Sequence, residues 1–172
     1  MSRLAVNKTY KLYIGGAFVR SESGRTLAAT GPKGDHLAHL AQASRKDARD
    51  AVQAARSAQT GWARATSYNR GQVLYRIGEM LEGRREQFQA EIRASEGGSE
   101  RAARSQVDQA IDAWVWYAGW ADKYAQVVGA HNPVAGPYFN LSVPEPTGVV
   151  VACAPASEQG LSLLGAVLTL GP

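Results

Sequence analysis

Apolar positions along this chain begin in short β-prone runs, pass to a helical period, and end in one continuous stretch. From Lys11, the segment Leu12-Tyr13-Ile14-Gly15-Gly16-Ala17-Phe18-Val19 sets two glycines between short apolar runs, which predicts a hairpin turning at Gly15 and Gly16. A second turn is expected at Ser23-Gly24. A short strand is expected over Leu37–Gln42, reached through the Gly31-Pro32-Lys33-Gly34-Asp35 loop.

The period then changes. Ser44 followed three residues later by Asp47 has the spacing of a capping box, and Ala48, Ala51, Val52 and Ala55 recur on one face of a helix expected to end near Gly61. Val73, Leu74, Ile77, Met80 and Leu81 form the stripe of a second helix over 68–83. Phe88 and Ile92 mark a third, stopped at Gly97-Gly98. Ser99 caps the longest, whose apolar face runs through Ala103, Val107, Ala110, Ile111, Trp114, Ala118, Ala121 and Ala125 to Gly129. Trp114, Trp116, Tyr117 and Trp120 spread over more than one face. Internal packing is expected for most of them, with some aromatic surface left to meet another domain or subunit.

Pro133, Gly136 and Pro137 end helical character, and Tyr138–Val143 alternates like an exposed edge strand. Gly148–Pro155 is a continuous apolar run of the kind a buried parallel strand needs, and 161–170 reads as the helix returning from it. The fold class expected is therefore α/β: a hairpin, helical layer and extended strand over 1–147, then over 148–172 the first βα unit of a further domain, which the family resemblance given below implies is a Rossmann-like nucleotide-binding domain. A chain of this pattern stops one βα unit into that domain, so truncation is expected.

Composition narrows the function classes. Lys and Arg number 19 against 15 Asp and Glu, a formal charge of +4, but the basic residues are interleaved with acidic ones. Arg84, Arg85, Arg93, Arg101 and Arg104 alternate with Glu86, Glu91, Glu96 and Glu100, which describes a solvated helix face rather than a nucleic-acid footprint. A single cysteine excludes an internal disulfide, and His36, His39 and His131 have no zinc-like spacing, so no metal site is expected. No stretch has the length of a membrane span or the form of a signal peptide, and a reducing, cytoplasmic setting fits.

Candidate chemical groups are few. Cys153 sits within an apolar run without a paired base and reads as a buried small hydrophobe. Glu145 and Glu158 read as structural or solvated, and His131 as a turn residue. Gly97-Gly98 lacks the spacing of a phosphate cradle and serves as a helix stop. Backbone N–H groups at the start of the 161–170 helix are placed to approach a phosphate.

The sequence Glu145-Pro146-Thr147-Gly148-Val149-Val150 leading to Ala154-Pro155, with Leu12-Tyr13-Ile14-Gly15-Gly16 near the start and Ala118-Gly119 and Ala121-Asp122-Lys123-Tyr124 late in the long helix, resembles the first third of aldehyde dehydrogenases. That resemblance implies oxidation of aldehydes to acids with NAD or NADP through a cysteine thiohemiacetal. Such chemistry needs an activated thiolate, a general base and donors for the oxyanion. In the family, the cysteine, the base, the ribose-contacting lysine and the glycine-rich cofactor loop lie beyond the stretch this chain resembles.

One functional element of the family falls inside it, the Pro-Trp-Asn-Phe-Pro that follows the first nucleotide-domain strand. Here Pro155 is followed by Ala156-Ser157-Glu158-Gln159, so Ser157 stands where the oxyanion-donating asparagine is expected and Ala156 replaces the tryptophan. A serine hydroxyl has a donor but a shorter reach. Loss of one such donor costs about 2.7–4 kcal/mol of transition-state stabilisation. The resemblance thus makes Ser157 the candidate catalytic residue and the backbone of Ala154, Pro155 and Ala156 the candidate cofactor contact.

The altered motif is similar to the degenerate second half of double-length aldehyde dehydrogenases. It implies an NAD(P)-dependent oxidoreductase fragment inactive by itself, with cofactor binding by this chain not expected, or else a non-catalytic assembly module of a pseudo-enzyme. Expected partners are a second copy or the remainder of a parent protein, and an aldehyde only once the fold is completed.

Overall fold

The structure, a computed structural model, describes residues 8–153 and 162–171. Strands β1 (Thr9–Tyr10), β2 (Leu12–Ile14), β3 (Ala17–Val19), β4 (Thr26–Thr30) and β5 (His36–Ala41) precede the helices. β2 and β3 pair antiparallel about Gly15 and Gly16, both at positive φ, which is the expected hairpin. β4 and β5 pair antiparallel, and β1 adds parallel to β5 with Thr9 opposite His39. β5 occupies the position expected for a strand. β1 and β4 are additional, because their short sequences carry no marked alternation and owe strand geometry to pairing with β5.

The helical layer comprises α1 (Arg45–Arg64), α2 (Ser67–Glu82), α3 (Arg85–Glu96), α4 (Glu100–Trp120) and α5 (Tyr124–Val128). Ser44 and Asp47 form a reciprocal capping box, and Thr66 and Ser99 cap α2 and α4 by accepting from Asn69 and Ala102 N–H groups. α1 runs past Gly61 to Arg64, since a single glycine inside a continuing helical pattern costs only about 1 kcal/mol. α4 stops at Trp120 instead of continuing to Gly129. The chain turns there, with Lys123 N–H donating to Trp120 O, before the single-turn α5.

Packing centres on α4. Leu81, Ala110 and Trp114 form one buried cluster, joined by Val167 of α6 (Ser162–Leu170), and Ile92, Ala103 and Val107 form a second. Phe88, Ile111 and Leu163 touch both clusters and merge them into a continuous core. α2 approaches α4 closely because Gly71 faces the Ala118 carbonyl, where an added Cβ would lie 3.0 Å from the oxygen. Only part of the α2 stripe is used. Leu81 is buried, whereas Val73, Ile77 and Met80 stay exposed because α2 meets α4 on one flank only. α1 buries only Asp47, and its alanine stripe remains largely open.

The β-layer meets the helices at several points, among them the Gly15 turn of β2–β3, which lies beside Ala54 of α1. Asp47 accepts from the Ser21 hydroxyl at 2.7 Å, from Glu22 N–H at 3.1 Å and from Ser44 N–H at 2.7 Å. These donors, the Ser44 N–H foremost, hold the Asp47 carboxyl down at about 2 against the opposing effect of burial. The β4–β5 loop meets the end of α3, where Gly97 adopts φ +72 and its missing side chain leaves room for Pro32; a Cβ there would sit 2.5 Å from Pro32 Cγ.

Beyond α5, β6 (Ala130–His131) and β7 (Leu141–Ser142) pair antiparallel. His131 is therefore a strand residue opposite Leu141 rather than a turn residue, and the strand expected over Tyr138–Val143 shrinks to two residues. The prolines and glycine between them limit the ladder to that short overlap. No described helix is long and apolar enough to cross a membrane.

Candidate functional site

Ala154, Pro155, Ala156 and Ser157, the residues expected to meet cofactor and oxyanion, lie outside the described residues, as does Glu158. The described residues nearest them in sequence are the segment ending at Cys153 and α6, which begins at Ser162.

On the upstream side, the expected buried parallel strand is not formed among the described residues. Residues 148–153 pair with no strand, and Val150 and Val151 are 74% and 78% exposed. Cys153 is likewise exposed, contrary to its expected burial. Periodicity identifies a run suited to burial on both faces, but burial itself requires neighbouring strands and covering helices. The Cys153 thiol has no hydrogen-bonding base among the described residues.

On the downstream side, α6 forms as its apolar sequence predicts and lays Val167 into the α4 core. Its first turn is held by side chains from two other helices. Glu96, the last residue of α3, accepts from Ser162 N–H at 3.2 Å and from the Ser162 hydroxyl. Gln106, 4% exposed within the apolar face of α4, donates to Glu96 at 3.1 Å and accepts from Leu163 N–H at 2.8 Å. The first two described N–H groups of α6, those of Ser162 and Leu163, are thus occupied by the chain itself.

A phosphate placed at the Ser162 N–H would meet the Glu96 carboxylate, a like charge at hydrogen-bonding distance.

Glu96, expected on a solvated helix face, instead meets Gln106 and Ser162 in part-buried contacts, and Gln106 is not distinguished by the sequence reading, although both carry a signal. Glu96 puts an acid in the last turn of a helix, where the dipole favours bases, and Gln106 interrupts the apolar stripe between Ala103 and Val107. Each anomaly marks a partner outside its own helix. Arg85 pairs with Glu82 and Asp108, which raises its pKa, Glu82 contributing most. Among the described residues no group of three or more His, Cys, Asp or Glu side chains converges on a metal-sized space.

Comparison with known proteins returns one family. Residues 18–155 match the aldehyde dehydrogenase family. The D-glyceraldehyde dehydrogenase (NADP(+)) of Thermoplasma acidophilum is 33% identical over 146 residues, covering 84% of this chain and 29% of that protein. Cytosolic 10-formyltetrahydrofolate dehydrogenase of Mus musculus is 32% identical over 158 residues, covering 87% of this chain and 17% of its own length. Betaine aldehyde dehydrogenase from Staphylococcus aureus, solved with NAD+, superposes with a TM-score of 0.86 at 25% identity, over 95% of this chain and 32% of that one. The chain therefore spans less than a third of the length of each of these relatives.

Proposed function

Because this chain belongs to the aldehyde dehydrogenase family, we propose that it supplies the hairpin and helical layer of an NAD(P)-dependent aldehyde-to-acid oxidoreductase, in a structural and not a catalytic capacity. The observation that carries this reading is the use made of the α6 start: its N–H groups hold Glu96 and Gln106 and fasten α6 to α3 and α4.

The chemistry agrees. Aldehyde oxidation through a thiohemiacetal requires a thiolate beside a base and donors aimed at the developing oxyanion. Cys153 is solvent-exposed, with no such base bonded to it among the described residues, and Ser157 stands with a short hydroxyl where the family has an amide. NAD or NADP would supply the hydride acceptor in a complete fold, and no step here is routed through it. The two parts proposed, 1–147 as the layer and 148–172 as the start of the nucleotide-binding domain, divide at the Pro-rich turn before Gly148.

The test is a dehydrogenase assay on the purified 172-residue chain, with aliphatic and aromatic aldehydes and either NAD or NADP. Formation of reduced nicotinamide no faster than without protein is the expected result. Turnover abolished by Cys153→Ser or Ser157→Ala would overturn the structural reading.

A second reading, an assembly module, draws on the exposed Val150 and Val151 in an unpaired extended segment, which offers backbone groups for strand addition. Light scattering separates the two: a strictly monomeric chain counts against the module.

A further inference from the structure

A groove of about 470 Å³ opens where the ends of α1, α4 and α6 meet the start of α2. It lies apart from the Glu96–Gln106 contact. Its walls are aromatic: Trp62 from α1, Trp116, Tyr117 and Trp120 from α4, and Tyr124 from α5. Trp116 packs against Tyr117 edge-on at 5.0 Å between ring centroids and against Trp120 at 5.5 Å, so the wall is a cluster of mutually braced rings. Trp116, Trp62 and Tyr124 are 57%, 47% and 51% exposed, and their faces remain available.

One cation stands in this groove, and no Asp or Glu lines it. Arg70 donates through Nη1 to the Ala65 carbonyl at 2.6 Å and through Nη2 to the Ser67 hydroxyl at 3.3 Å. Among the described residues no carboxylate pairs with it. Its guanidinium is therefore fixed in position by neutral acceptors, with three of the five N–H donors of an arginine still unassigned. A preoriented guanidinium without a carboxylate partner, in a groove lined by edge-packed and tilted rings, complements a ligand carrying both a π-face and a negative charge. The volume falls in the range of small-molecule sites.

We propose that this groove binds a small planar aromatic carboxylate, its ring against Trp116 and Trp120 and its carboxylate on Arg70. A peptide or an apolar partner surface would cover the same rings but would not require the charge. The assignment concerns a surface separate from the proposed oxidoreductase role and stands or falls independently of it.

Isothermal titration of the full chain with 2-naphthoate tests the proposal, alongside 2-naphthamide, which keeps the ring and removes the charge, and cyclohexanecarboxylate, which keeps the charge and removes the π-face. Saturable binding of 2-naphthoate is expected, weakened at least about tenfold in each analogue, since charge-assisted hydrogen bonds and ring stacking each contribute on that scale. Arg70→Gln is expected to reduce 2-naphthoate affinity about tenfold while leaving 2-naphthamide unchanged. Arg70 also ties the α1–α2 turn, so Trp116→Ala, at an exposed position, serves as the second variant and is expected to weaken both naphthyl ligands. Equal affinity for 2-naphthoate and 2-naphthamide, absence of saturable heat with 2-naphthoate, or binding indifferent to Trp116→Ala would each overturn the proposal.

Discussion

The Asp47 carboxylate accepts the Ser21 hydroxyl at 2.7 Å across 26 residues of sequence, and the same carboxylate closes the capping box of α1 with Ser44. One side chain thus completes a helix start and fastens it to the turn between β3 and β4.

This double duty has a pH signature. The folded carboxyl titrates at about 2, below the roughly 3.9 of an unfolded aspartate. A group depressed on folding stabilises the fold above its unfolded pKa, and that stabilisation fades as pH falls from about 4 toward about 2. Asp47→Asn is therefore expected to lower the urea midpoint clearly near pH 7 and to differ little from the parent near pH 2. A midpoint difference unchanged across that interval would contradict the assignment.

Gly97→Ala is expected to destabilise the chain for two separable reasons. The left-handed φ costs a non-glycine residue about 1–2 kcal/mol, and the new Cβ meets Pro32. Pro32→Ala removes the nearest atom, Cγ, while leaving φ unchanged. Denaturation of both single variants and the double should then show the double losing less than the sum, by at least about 0.5 kcal/mol. Strict additivity would mean the loop does not rest on Gly97.

Gln106→Ala leaves Leu163 N–H without its side-chain acceptor in a partly buried position, at a cost of about 1–3 kcal/mol. Amide hydrogen exchange at Ser162 and Leu163 is expected to accelerate in this variant more than exchange in α2. Glu96→Ala should behave similarly, and Glu96→Gln, which keeps an acceptor, should lose less. Equal exchange in parent and variants would show that α6 is held by Val167 and Leu163 packing alone.

Legibility followed the range of the interactions. The starts of α1 and α4 were readable because Ser44 and Ser99 cap within three residues of themselves, and the Gly15-Gly16 hairpin because its turn is local. β4 escaped notice because Thr26-Leu27-Ala28-Ala29-Thr30 has no marked alternation until β5 lies beside it. The candidate site was legible at Ser157 only through family resemblance, and Glu96 and Gln106 were visible only as residues out of place in their own helices.

The sequence by itself determined the helical layer, the hairpin and membership of the aldehyde dehydrogenase family, since caps, periods and motifs act over a few residues. Tertiary structure decided what those residues meet. An apolar run becomes a buried strand only beside other strands, and without them Val150, Val151 and Cys153 lie in the open. A helix start attracts an anion whatever its source, and here packing brings Glu96 to α6 from 66 residues away. Burial and capping of this kind depend on distances between elements, which no local spacing specifies.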